Sequence, residues 1–438
     1  MLVLLIAHTP HLNGPWYWVW PWRDTQALPG SRWYPAMILA AMPMVAAWLV
    51  RPSDTMGRML ILSLLSLSVL ALKLTSIFIL TAPASTTALA AIVRSPDATS
   101  YYSDAQALSQ FDGILASYPE ILALPTTSLH TRSKPPGAVM YYVAFIRAFR
   151  TSDTSTIVAG IVLGVIASLS VPATYWLIRL LLRDSHIAIT AAVLLALCPG
   201  YVLIFPTFDA CYPILACALF GLWHLALQRN EIGYAIAFGA TLMLTTFLTY
   251  NLLVLGALLV AWTCLVPLDK KANRLRRSAI MAVVAITTTV ALYALLWVVS
   301  SFNPIATFRS ALAQQRALVA QHHTDRPYPW TIWFDLLDFA LGFGWTMLLP
   351  IAWGVARTYS DRSLRSLIIV ALGLPILVAM TGLLQSETSR VWNFMLPLVL
   401  LPAAIELSHW PRAARAVAYL AMLILMLAIG HNMVFMLP

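Results

Sequence analysis

Runs of about 20 mostly apolar residues recur along the 438-residue chain, and they decide what it can fold into. A run of that length crosses the roughly 30 Å hydrocarbon core of a bilayer as an α-helix. The helix satisfies its own backbone donors and acceptors, which lipid cannot do. Composition agrees: 60% of the residues are hydrophobic and 10% charged, where a soluble domain carries about 25% charged residues. The runs are continuously apolar rather than alternating, which argues against a transmembrane β-barrel. The expected class is an all-α polytopic membrane protein, with residues 1–438 forming one integral membrane domain.

About twelve spans are expected: residues 34–50, 58–81, 155–178, 187–206, 211–227, 232–249, 252–267, 278–300, 331–356, 366–384, 391–408 and 413–435. Residues 1–7 are apolar but too short to span, and a Trp/Pro-rich interfacial stretch from His11 to Asp24 follows. Either the chain begins on the outer side, or a further apolar helix precedes this start and makes thirteen. An in-frame apolar extension upstream in the genome would decide between the two.

Residues 138–149 are also apolar, but a dozen residues with Arg147 among them cannot cross the core. They read as a juxtamembrane helix lying in the interface. With that helix excluded, fifteen of the 27 Lys and Arg fall in the loops of one side, led by the run Asp269–Arg277. Eleven fall on the other side, and Lys73 lies within a span. The positive-inside rule makes the first side cytoplasmic. It also accounts for the net charge of +10 without a nucleic-acid partner. Sixteen Trp and sixteen Tyr suit interfacial belts. Cys198, Cys211, Cys217 and Cys264 lie in or beside apolar runs with no CxxC spacing, so they read as small hydrophobes.

The longest polar interval is 94–137, within an external loop of residues 94–150. It holds Asp97, Asp104, Asp112, Glu120, His130, Arg132 and Lys134. Asp97, Tyr101, Ala105 and Leu108 share one face of a helix starting near Pro96. Asp97 at the N-terminal end would be ionised there, as a base or merely as a cap. Asp104 competes with it from another face. The run from His130 to Gly137 sets three basic side chains beside Pro135-Pro136, which stiffen the backbone. Such a turn suits a lipid-borne phosphate, or ordinary headgroup contact by snorkelling side chains. A second external segment, 301–330, reads as an amphipathic connector helix with Asn303 as N-cap, Pro304 at N1, and Ile305, Phe308 and Leu312 on one stripe.

The pairing of DATSYYSDA with HTRSKPPG resembles the membrane-embedded glycosyltransferases of the GT-C fold, such as the lipid A aminoarabinose transferases and protein O-mannosyltransferases. In those families the first large external loop carries an acidic motif, then an aromatic and a small residue at helical spacing. A basic or His residue before Pro-Pro completes it. Asp97, Tyr101, Ala105 and Lys134-Pro135-Pro136 follow that order. Ala98 stands where the family has a second acidic residue, which leaves Asp104 in contention. FPTFDACYPIL places Asp209 at the outer end of a span, where these enzymes often carry another Asp, although Asp209 would also serve as a helix cap. QSETSRVWNFMLP places Glu387 and Arg390 like the family's late Arg-containing motif, or as an ion pair at a helix start.

The resemblance implies a polyprenyl-phosphate sugar donor and a glycan, lipid or protein acceptor. Transfer would occur on the external or periplasmic face of the plasma (cytoplasmic) membrane. Asp97, with Asp104 and Asp209 as the other catalytic candidates, would take the acceptor proton. His130, Arg132, Lys134, Tyr101, Glu387 and Arg390 would bind substrate or lipid phosphate. A phosphate leaving group needs no general acid, and one carboxylate with direct displacement implies inversion. No cofactor is required by the sequence. His322-His323-Thr324-Asp325 lacks the usual metal-ligand spacing, and a divalent metal stays an open question. No P-loop is present, which argues against direct ATP use. The competing classes are a lipid-linked glycan flippase or secondary transporter, and a structural or assembly subunit. Transporters bury charge midway through their spans, whereas charge here gathers at one face.

Overall fold

The structure is a computed structural model. It describes residues 55–78, 86–95, 98, 100–149, 151–265, 274–321, 328–382, 384–385 and 387–432, together with Ile38 and Ala41. Asp97, the 322–325 segment and nearly all of 34–50 lie outside the described residues. The described residues form helices and turns without strands. Six helices are long and apolar enough to cross a membrane, or seven if one sharply bent pair is a single span. The chain is thus an integral membrane protein. Twelve crossings are not established by helix length, because several expected spans are short or broken.

The breaks have local causes. The segment 187–206 divides into Ser185–Ala196 and Pro199–Leu203, since Pro199 cannot continue the first helix. The segment 331–356 divides into Thr331–Phe343 and Trp345–Thr358, bent by 94°. Gly344 sits between them at φ +90°, a conformation that a side chain disfavours. The segment 391–408 is a series of short turns ending in the helix Leu401–His409.

Contacts group the chain into two compact units. The first comprises Met1–Leu89, Ile161–Cys217 and Arg326–Pro438. Its core includes Trp392, Tyr201, Phe205 and Phe394, all fully buried, with Lys73 among them. The Lys73 ammonium donates to the Tyr201 carbonyl and lies 4.1 Å from the centroid of the Tyr201 ring. Helix starts in this unit follow ordinary capping. Asp184 Oδ1 accepts from the backbone N–H of His186 and Ile187 at 2.7 and 3.0 Å. Asp361 does the same for Ser363 and Leu364 at 2.8 and 3.0 Å.

The second unit comprises Ala90–Gly160 and Ala218–Asp325. It contains the polar loop. The expected helix from Pro96 does not form as one piece. It begins at Tyr101, because Ser100 at φ 52° is left-handed and interrupts helical continuity. Tyr101, Ala105 and Leu108 keep their common face on the helix Tyr101–Leu108. Tyr102 packs edge-on against Tyr142 of the helix Gly137–Ala148, with centroids 5.7 Å apart. Its hydroxyl lies 2.7 Å from Ser155 Oγ. Arg147 donates to the carbonyls of Ser109 and Phe111 at 3.0 and 2.7 Å, so the residues after Leu108 fold back along the same helix.

The connector forms the helix Pro304–Gln321, with Asn303 Oδ1 accepting from Ile305 and Ala306 N–H at 3.1 and 3.0 Å. It packs on the helix Tyr118–Ala123. Its buried positions are Thr307 and Ala311, while Ile305, Phe308 and Leu312 stay exposed. Phe308 packs edge-on against Tyr250 with ring centroids 5.1 Å apart, so only part of the apolar stripe, led by Ile305, is open to its surroundings.

Candidate active site

Within the second unit, the run from Leu129 to Gly137 is built as two short pieces joined at prolines. Leu129–Arg132 is one helical turn, and Pro135-Pro136 lead into the helix Gly137–Ala148. Three contacts hold this turn in place. The Lys134 ammonium donates to Asn251 Oδ1 at 2.8 Å. The buried Tyr118 hydroxyl donates to the Pro135 carbonyl at 3.4 Å. Gly137 packs directly on the end of the helix Ile232–Leu248, and a Cβ there would lie 2.5 Å from the Phe247 carbonyl oxygen and 2.9 Å from Leu248 Cα. Backbone cannot yield as a flexible side chain does. Gly137→Ala should therefore destabilise the protein by about 1–3 kcal/mol, read as a lowered thermal melting point in detergent. A wild-type melting point would refute this packing.

Asp104 and Arg132 are engaged within the loop. The Asp104 carboxylate accepts from the Ser128 backbone N–H at 3.2 Å and from the Ser128 hydroxyl. It thereby braces the start of the Leu129–Arg132 turn. Arg132 donates from Nε to the Thr127 carbonyl at 2.8 Å and from Nη2 to the Pro125 carbonyl at 2.6 Å. Both residues shape the turn on which Lys134 stands. His130 lies in the same turn and Tyr101 opens the helix before it; both are half-buried.

The first unit holds the other three expected residues, and it brings them together. Arg390 Nε lies 3.2 Å from Asp209 Oδ2, and Arg390 Nη2 pairs with Glu387 Oε2. The three side chains are only 11%, 14% and 11% exposed for Arg390, Asp209 and Glu387 respectively, so water screens them weakly. Glu387 sits at φ 50°, a sparsely populated conformation for a residue with a side chain. Its carbonyl accepts from the Arg390 and Val391 N–H groups at 2.8 and 2.9 Å, closing the turn that presents Arg390. Burial pushes the Glu387 carboxyl above its ordinary range, and the Arg390 guanidinium opposes that rise.

Sequence reasoning missed Asn251, and it missed two buried aspartates. Asp335 and Asp338 are 3% and 1% exposed on the helix Thr331–Phe343. Their backbone carbonyls accept from the hydroxyls of Thr388, at 2.6 Å, and Ser389. These contacts seat the residues just after Glu387. An Asp-Leu-Leu-Asp sequence inside an apolar run was the available signal. Among the described residues no group of three or more His, Cys, Asp or Glu is placed to hold a metal.

No protein-family model matches the sequence, and no curated protein matches it. Among solved structures, the chain is similar to ArnT from Cupriavidus metallidurans in the apo state. That similarity has a TM-score of 0.48 at 16% identity, covering 70% of this chain and 56% of that one. It is also similar to the archaeal oligosaccharyltransferase AglB from Archaeoglobus fulgidus, in complex with an inhibitory peptide and a dolichol-phosphate. There the TM-score is 0.42 at 14% identity, covering 73% of this chain and 51% of that one. The chain thus spans about half the length of these two proteins.

Proposed function

We propose that this protein transfers a glycosyl residue from a polyprenyl-phosphate-linked sugar to an acceptor hydroxyl, on the non-cytoplasmic face of the membrane. The observation that carries this reading is the anchored Lys134 turn. Its ammonium is fixed 2.8 Å from a neutral amide oxygen, at the head of a Pro-Pro segment clamped against a neighbouring helix end. Together with the external acidic motif before it, this is the equipment needed to receive a departing lipid phosphate.

In the proposed reaction the acceptor oxygen attacks the anomeric carbon as the bond from that carbon to the phosphate oxygen breaks. The phosphate leaves with the bonding pair, and the ammonium of Lys134 stabilises that charge. Asp97 takes the acceptor proton, and the single displacement inverts the anomeric centre. Asp104 is the weaker candidate for base because its carboxylate already accepts two hydrogen bonds from Ser128. Asp209, Glu387 and Arg390 form a largely buried ion cluster, and they serve as a support for their own unit in this reading.

Lys134→Ala tests the assignment. Loss of a hydrogen bond to a charged group costs about 1.5–3 kcal/mol, so kcat/KM for the donor should fall about ten- to a hundredfold, through kcat as well as KM. Unchanged donor kinetics would remove Lys134 from the site. One observation favours a second reading, a lipid-linked glycan flippase or secondary transporter. Lys73 is fully buried inside the expected span 58–81, where ionisable residues often mark transport pathways. Sealed vesicles containing the protein and a labelled polyprenyl-phosphate sugar separate the two. Label appearing on an acceptor on one face supports transfer, whereas intact donor crossing the bilayer supports transport.

A further inference from the structure

We propose that the Tyr250 hydroxyl donates a hydrogen bond to the lipid-borne phosphate received at the Lys134 turn. The inference rests on the glycosyl-transfer reading above and names a residue that the external motif does not contain. Tyr250 stands in the short turn between the helices Ile232–Leu248 and Leu255–Leu265. It directly precedes Asn251, whose side-chain oxygen accepts from Lys134 Nζ at 2.8 Å. Its ring meets Phe308 of the connector helix edge-on, with centroids 5.1 Å apart and planes at 87°. The connector helix also packs on Tyr118–Ala123 and on the Leu129–Arg132 turn. Burial keeps the Tyr118 phenol protonated, and the phenols of Tyr101 and Tyr250 and the Asp104 carboxylate lie near enough to reinforce that. Tyr118 in turn donates to the Pro135 carbonyl. Tyr250 thus neighbours the Lys134-Pro135 step along the chain, through Asn251, and across the loop, through Tyr118.

Among the described residues no hydrogen bond engages the Tyr250 hydroxyl. The residue is half-buried, so its hydroxyl is partly dry without being sealed off. Burial pushes the phenol well above its ordinary range, and the Tyr293 phenol adds to the rise. A phenol so held is a donor throughout the physiological range and never a base. The ligand best suited to it is an oxyanion, because hydrogen bonds to an ionised acceptor are about twice as strong as neutral ones. A polar group in a partly dry setting without a partner is unfavourable, and an arriving phosphate removes that cost. Direction is inexpensive as well. Tyrosine has about two torsions to fix, and the Phe308 contact restrains the ring that carries the hydroxyl. A donor set in advance is what charge gathering on a departing phosphate requires.

The probe is farnesyl phosphate, with farnesol as the uncharged control, each titrated against the full chain in detergent. Wild type should bind the phosphate more tightly than the alcohol. Tyr250→Phe deletes the hydroxyl and keeps the ring against Phe308. It should weaken farnesyl phosphate binding about tenfold or more, the range of a hydrogen bond to a charged group. Farnesol binding and the melting point should stay near wild type. A residue that only supports the fold cannot give that selective loss, because both ligands and the melting point would shift together. Wild-type phosphate affinity in Tyr250→Phe overturns the inference. Lys134→Ala, which should still lose affinity, shows separately whether the phosphate site stands. Equal losses for phosphate and alcohol, or a loss that accompanies a lowered melting point, also overturn it, since the hydroxyl would then serve the fold. If wild type does not prefer farnesyl phosphate to farnesol, the glycosyl-transfer reading falls and takes this role with it.

Discussion

Asp97→Asn is expected to lower turnover by about 10²- to 10⁴-fold, the range a positioned general base contributes. The amide keeps the size and most of the hydrogen-bonding capacity of the carboxylate, but it cannot accept a proton at neutral pH. Thermal stability and affinity for a lipid phosphate should therefore stay near wild type. Asp104→Asn is the necessary partner experiment. Because Asp104 braces Ser128 at the start of the turn leading to Lys134, its amide variant should act mainly on donor affinity and only modestly on turnover. Full activity in Asp97→Asn, with a collapse of turnover in Asp104→Asn, would exchange the two assignments.

The second large effect concerns stability. Arg390→Met should destabilise the protein by about 3–5 kcal/mol, the cost of stranding buried charges without their partner. Asp209 and Glu387 would both lose their guanidinium in a site where neither side chain is more than 14% exposed. Adding Asp209→Asn and Glu387→Gln to Arg390→Met should restore most of the lost melting temperature, since the triple variant leaves no unpaired charge. A wild-type melting point in Arg390→Met alone would mean that these ion pairs do not form in the folded protein. Failure of the triple variant to recover would instead mean that Arg390 holds its surroundings mainly by packing.

Much of this was legible from residue order. Apolar runs announced the membrane helices, and Asn303-Pro304 announced the start of the connector helix at its observed place. The Pro-Pro turn was recognisable because proline acts locally, on φ and on the preceding residue. Glu387 and Arg390 were adjacent enough to be paired by spacing alone. What escaped were features set by long-range packing. Nothing in the neighbourhood of Asn251 marks it as the partner of a lysine 117 positions earlier. The helix Tyr101–Leu108 starts only after Ser100, whose left-handed backbone no spacing of apolar residues announces. The count of twelve spans is not established by helix length, since Gly344 and Pro199 break helices inside runs whose average hydropathy looks uninterrupted.

The lengths of neighbouring helices in the second unit have a consequence for the surrounding lipid. Ile232–Leu248 has 17 residues, about 25 Å at 1.5 Å per residue, and packs along Arg274–Ser300, whose apolar part after the basic start, residues 278–300, makes about 35 Å. Both carry exposed apolar side chains, such as Ile236 and Leu244 on the short helix and Val290 and Val298 on the long one. One pair of helices thus offers lipid two hydrophobic thicknesses, one below and one above the usual 30 Å or so. Acyl chains beside the short helix must thin, and the long helix must tilt or draw thicker bilayer around it. Hydrophobic mismatch of this kind makes acyl-chain length a variable of the protein's stability, separate from any headgroup it binds.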